Sequence, residues 1–165
     1  MNNDLRKKGF LTYSDIGSAR CPDEELIKGK ALPVIECIEK IPCNPCETSC
    51  PKGAIVVGEN INDLPVCDFS LCSACGICIT RCPGLAIFMV KLTENGRAQI
   101  SIPWEIWPLP SKGQRFEGID RLGNSICEGE IVSVRKVNHK TNIVTGEISA
   151  EFYKDVRHFK IKKTG

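Results

Sequence analysis

The residues from Cys72 to Pro83, C-S-A-C-G-I-C-I-T-R-C-P, carry the densest chemistry in the chain. Cys72, Cys75 and Cys78 stand three apart, and Cys82 follows four later with Pro83 directly behind it. Thiolates at this rhythm wrap separate iron corners of one compact iron–sulfur cube, while the fourth points away to the other cluster of a pair. A tetrahedral zinc site normally takes two close pairs separated by a long loop. Disulfides between neighbours this close have poor geometry.

A paired arrangement needs a second set of thiolates, and a shift of 32 residues finds it. Cys43 maps onto Cys75, Cys46 onto Cys78, Cys50 onto Cys82 and Pro51 onto Pro83; Ala54 and Ile55 map onto Ala86 and Ile87. This is an internal repeat of one supersecondary unit. It fails at Cys72, whose counterpart is Lys40, a side chain that cannot ligate iron. Cys37, three residues earlier, is the substitute. Since the fourth cysteine of each run serves the other cluster, two 4Fe–4S sites are expected. Site I would take Cys37, Cys43, Cys46 and Cys82; site II would take Cys72, Cys75, Cys78 and Cys50.

Three of the eleven cysteines stay outside these sets. Cys21 lies beyond the repeat and reads as a structural or free thiol. Cys67 reads as a strand residue, because the second set is complete without it, and Cys127 as a lone thiol in a turn. His139, in the N-H-K-T turn, and His158 have no metal-ligand spacing and read as surface or core histidines.

In a secreted chain, cysteines in this number would build a disulfide framework, but M-N-N-D-L-R-K-K-G-F at the start has no signal-peptide apolar core. Thiolate ligands in a reducing compartment, the cytoplasm, are the expectation. No run of about 18 apolar residues occurs, so no membrane span is expected. Basic and acidic residues nearly balance, at 22 against 20. So weak a field steers partners poorly over distance and suits a permanently docked chain rather than a shuttle. The basic groups R-K-K near the start and K-I-K-K at the end read as solvated ends, which argues against a nucleic-acid partner. No Ser/His/Asp arrangement, phosphate-binding glycine loop or paired-histidine site suggests catalysis by this chain itself.

The elements that must position the thiolates are short. Residues 1–33 read as an N-terminal arm, flexible or partner-held up to residue 20. A short helix follows, with Pro22 at its first position, Asp23, Glu24 and Glu25 in the first turn and Gly29 after its end. Residues 34–91 form the cluster domain. Its first half delivers Cys37 from A-L-P-V-I-E-C-I-E, holds ligands at 43–50 in a loop and short helix, and continues into the strand A-I-V-V (54–57). Its second half places a strand at Val66 to Ser70 before the ligand loop and A-I-F-M-V-K (86–91) after it. Gly76 lets the backbone pass close to a cube, and Pro51 and Pro83 turn the chain away after each crossing cysteine.

Residues 92–165 are cysteine-poor and β-like. T-E-N-G-R (93–97) reads as a hairpin turn before A-Q-I-S-I-P. Alternating runs follow at G-Q-R-F-E-G-I-D, E-I-V-S-V-R-K-V, N-I-V-T-G-E-I-S and D-V-R-H-F-K-I, a spacing that suggests a small barrel or sandwich. W-E-I-W-P-L-P (104–110) carries both tryptophans, either as recognition surface or as a linker whose tryptophans cap the core. The expected fold class is α+β: a pseudo-symmetric dicluster ferredoxin fold followed by a small β-rich domain.

Through C-x2-C-x2-C-x3-C-P at 72–82 and its echo at 43–50, residues 34–91 resemble the bacterial dicluster ferredoxins. A narrower resemblance rests on I-E-C-I-E-K-I-P-C-N-P-C-E-T-S-C-P and C-P-G-L-A-I, followed by the β-rich tail. It is to the small ferredoxin-type subunits of FAD-dependent amino or imino acid dehydrogenases, the proline or hydroxyproline type. The five-residue gap between Cys37 and Cys43 departs from the ordinary dicluster pattern. The resemblance implies a non-catalytic electron-transfer subunit in a hetero-oligomer. FAD would sit in a partner dehydrogenase subunit, two 4Fe–4S clusters would pass its electrons singly, and the β-rich part would dock the partner. No flavin motif is visible in this chain. A free-standing ferredoxin and a zinc-bound interaction module are the competing expectations.

Overall fold

Alternation builds the largest element. In strand β5 (Arg97–Trp104) Ala98, Ile100, Ile102 and Trp104 are buried, while the residues between them are half-exposed. The computed structural model describes residues 7–137 and 141–162, so His139 lies outside the described residues. Strand β4 (Ile87–Thr93) departs from alternation: it is apolar almost throughout. Its two faces serve two cores. Phe88, Val90 and Leu92 join the main apolar core of the sheet, whereas Ile87 and Met89 join a smaller core that several cysteines border.

Seven strands form one antiparallel sheet. With β1 (Leu32–Ile35), β6 (Arg115–Ile119), β7 (Ser125–Arg135), β8 (Asn142–Ser149) and β9 (His158–Ile161), its order is β1-β4-β5-β8-β7-β6-β9. A separate antiparallel ribbon pairs β2 (Ile55–Val56) with β3 (Val66–Cys67). The sheet crosses both expected boundaries: β1 spans residues 33 and 34, and β4 runs through 91 into Thr93 before the hairpin to β5. Phe116 lies against Phe159, ring centroids 4.1 Å apart. It covers Gly129 and Gly146 so closely that a Cβ at either would meet its ring.

Several local expectations shift. The helix α1 (Glu24–Gly29) begins two residues after Pro22, because the extended Asp23 takes the N-cap position. β3 stops at Cys67 rather than Ser70, since the Asp68 carboxylate accepts the Ser70 N–H (2.9 Å) and hydroxyl (2.6 Å) and closes a turn. Cys127 is in strand β7 opposite Gly118, not in a turn; the turn ends earlier, where Asp120 caps Leu122 and Asn124. Nor is the arm loose over its described part. Leu11 and Ile16 are buried, and the carbonyls of Ala19 and Arg20 each accept a 2.8 Å backbone bond, from Cys67 and Ile35.

An ion cluster ties the cysteine-bearing segment to the tail. The Glu36 carboxylate accepts from Arg121 (2.6 and 3.0 Å) and from Arg157 Nε (2.6 Å), all three side chains nearly buried. Burial pushes the Glu36 carboxyl up, but the two guanidiniums outweigh this and hold it below the usual carboxylate range. Among the described residues, no helix is long and apolar enough to cross a membrane.

Candidate metal centre

The 32-residue sequence repeat is also a repeat of backbone geometry. Helix α2 (Pro45–Thr48) and helix α3 (Ile77–Arg81) occupy equivalent positions in the two halves. After each comes a crossing cysteine whose sulfur accepts a backbone N–H from four residues on. Ala54 N–H donates to Cys50 Sγ (3.3 Å) and Ala86 N–H to Cys82 Sγ (3.4 Å). Between them the chain makes the same left-handed step, at Gly53 (φ +59°) and Leu85 (φ +52°), with a 3.2 Å bond back to the cysteine carbonyl in each case. A leucine thus holds a conformation that side chains disfavour.

The thiols gather in two sets. Cys50, Cys72, Cys75 and Cys78 line one small cavity together with Ala54, Ile55, Gly76 and Met89. Cys78 is pushed up to about 12, first by burial and then by Cys72 and Cys75, with Cys50 adding to it. In the other set burial raises Cys37 and pushes Cys46 up to about 11, and the neighbouring thiols of Cys82 and Cys43 raise both further. Thiolates crowded this way repel one another, and iron bound among them relieves that repulsion. The eight residues expected as ligands fall into these two sets, three from one half and one from the other in each, and Cys67 lies beside Cys72 in the second.

The remaining cysteines stand apart in character. Cys21 is buried in the main core of the sheet, and the half-buried Cys127 packs against it. Cys67 borders site II, beside Cys72, so it is a strand residue that is also a neighbour of the site. The neighbouring Cys67, with Ala74 N–H and the charge of Lys30, lowers Cys72, while Cys72 and burial raise Cys67. His158 stacks on the buried Trp104, centroids 5.4 Å apart, and burial lowers its pKa.

Three residues that touch the sites carry no sequence signal. Arg20 Nη1 donates to the carbonyl of Cys37 (2.6 Å), Lys30 Nζ to that of Cys72 (2.8 Å) and Arg135 Nη1 to that of Cys75 (2.7 Å). Their distances along the chain, 17, 42 and 60 residues, place them beyond any motif. Among the described residues no three His, Cys, Asp or Glu side chains converge on a point that could hold a single ion. Sets made of thiols alone are the donor chemistry that an iron–sulfur cluster takes.

Comparison with known proteins agrees in kind. Over 60 residues the chain is 40% identical to one subunit of the ion-translocating oxidoreductase complex of Methanosarcina acetivorans, covering 36% of this chain and 22% of that protein. Over 60 residues it is 33% identical to the ferredoxin-type protein NapF of Haemophilus influenzae, covering 35% of this chain and 34% of that one. The chain thus spans between about a fifth and a third of the length of these curated relatives. No family model matches it, and no solved structure does. The similarity and the thiol sets together support a ferredoxin-like iron–sulfur protein.

Proposed function

We propose that this chain is the electron-transfer subunit of an oxidoreductase complex, relaying electrons from an FAD-containing dehydrogenase subunit through two 4Fe–4S clusters. The observation that carries the reading is the division of eight cysteines into two sets of four, each drawing one thiol from the other half. Bound there, each cluster supplies a place for one electron at a time. The residues of the chain do the rest. Cys50 and Cys82 cross between the sites and hold them close. The N–H groups of Ala54 and Ala86 aim partial positive charge at those two sulfurs. Ile35, Ile55, Ile79, Ile87 and Met89 form the apolar floor against which the thiols pack and which limits water there. Two such places can take the two electrons of one reduced flavin, one each.

The flavoprotein partner, of the proline or hydroxyproline dehydrogenase type, is supported by the narrower sequence resemblance. The relatives are named as a subunit of an oxidoreductase complex and as a ferredoxin-type protein. The β-rich part offers a docking face at W-E-I-W-P-L-P, whose two tryptophans divide the roles. Trp104 is buried in the core, and Trp107 is 81% exposed beside the half-exposed Ile106. Anaerobic purification from the native source, followed by size exclusion and metal analysis, tests the reading. About eight irons and eight sulfides per chain, eluting with FAD, are expected. Stoichiometric zinc would overturn the cluster assignment. Elution of the iron-loaded chain as a monomer would leave a free ferredoxin.

A further inference from the structure

The ligand loops are gripped by three cations, and two of them meet at site II. Arg20 holds the Cys37 carbonyl at site I; Lys30 and Arg135 hold those of Cys72 and Cys75 at site II. Among the described residues none of the three has a carboxylate within 4.0 Å, whereas Arg97, Arg115, Arg121 and Arg157 are each paired with a glutamate. A carbonyl oxygen satisfies a donor but neutralises no charge. With a cluster bound, the negative charge on the site II loop would be that of the thiolates, and Lys30 and Arg135 are anchored on the loop at the Cys72 and Cys75 carbonyls. Arg135 comes from the far end of β7, and its guanidinium closes over the tight turn at Gly76. A Cβ at Gly76 would fall 2.8 Å from Arg135 Nη2. Glycine is therefore needed there twice, for its φ of +71° and for this approach.

We infer that Arg135, with Lys30, is a positioning and potential-setting residue for site II: it fixes the Cys72–Cys78 loop through the Cys75 carbonyl and raises the reduction potential there. The inference rests on the dicluster reading above. A cluster held by four thiolates is anionic and gains one more negative charge on reduction. A nearby cation stabilises the reduced form more than the oxidised, and net charge is among the quantities that set the potential. Because Arg135 belongs to the β-rich part, that part contributes to the electronic character of site II as well as to docking.

Full-length R135Q, R135K and K30Q, purified anaerobically, test this by iron and sulfide count and by EPR-monitored redox titration. The signal that disappears in C37A identifies site I. R135Q should keep its iron, and its site II midpoint should move to more negative potential while site I stays in place. The expected size is about threefold to tenfold in electron occupancy at fixed potential, tenfold being 59 mV for one electron. R135K should restore most of the shift, K30Q should move site II in the same direction, and added salt should shrink these differences. An unmoved site II midpoint in R135Q, or equal shifts at both sites, overturns the inference. If R135Q loses site II outright, K30Q decides, and an unmoved midpoint there overturns it equally. Failure of the dicluster reading is told apart by the wild-type iron count, which would fall short of two clusters, and it takes the inference down with it.

Discussion

Replacing Cys37 with alanine should cost one cluster of the two. Its thiol lies with Cys43 and Cys82, and Arg20 holds its carbonyl, so a thiol stands near the position the repeat leaves vacant. Iron in C37A should fall from about eight to about four per chain. In C67A it should stay near eight, because Cys50, Cys72, Cys75 and Cys78 already supply four thiols around one cavity without it. The exchange of those two results would reverse the assignment. Gly76 makes a second residue-scale case. An alanine there must adopt a left-handed φ, at about 1–2 kcal/mol, and must also push Arg135 aside. G76A should therefore lose iron from site II in preference to site I on mild chelation, read by the loss of one EPR signal.

At the scale of elements, two ties hold the cysteine-bearing segments to the sheet. One is β4, whose alternate residues enter different cores. The other is Glu36, directly before Cys37, clasped by Arg121 and Arg157 from the tail. Removing the carboxylate strands two guanidiniums in a nearly buried place. E36A should destabilise the chain by about 3–5 kcal/mol, the range for breaking a buried pair from one side. Anaerobic chemical denaturation followed by circular dichroism measures this; a loss under about 1 kcal/mol would mean the pair is merely peripheral. These ties were not legible in the sequence, whereas the ligand rhythm was, because cluster ligation is local: thiolates three and four residues apart must lie on one loop. Short helices 32 residues apart follow from the same repeat. The partners of Glu36, Cys72 and Cys75 are set by the course of the sheet, which brings residues 85, 42 and 60 positions away into contact. The hairpin turn at 93–97 announced β5, but nothing announced that β4 would be apolar on both faces, since a doubly buried strand and a strand-end beside a cluster loop look alike in one dimension.

For the whole molecule, the continuous sheet changes what truncation can be expected to do. A dicluster motif needs only its own loops, which suggests that a fragment ending at Lys91 would keep its iron. Yet that cut ends β4 two residues early, removes its partner β5, and takes away Arg135, Arg121 and Arg157. Leu32, Val34, Phe88 and Val90, now packed with Ile100, Ile102 and Val144, would face water. At about 1.5–3 kcal/mol for each large apolar side chain left exposed, the loss is comparable to the whole stability of a domain. Fragment 1–91 should therefore fail to retain iron. The docking role of the tail is better separated by W107S in the full chain. Trp107 is 81% exposed, so its removal should leave fold, iron count and thermal midpoint within experimental spread, and an exposed anchor of this size is where interface energy concentrates. W107S should elute from native size exclusion with its full iron but without the FAD-containing partner, and should still be reduced by dithionite. If W107S stays with the partner, the docking face lies elsewhere on the chain. If fragment 1–91 holds eight irons and accepts electrons from the same donor, the β-rich part is dispensable to both roles and the free-ferredoxin reading takes its place.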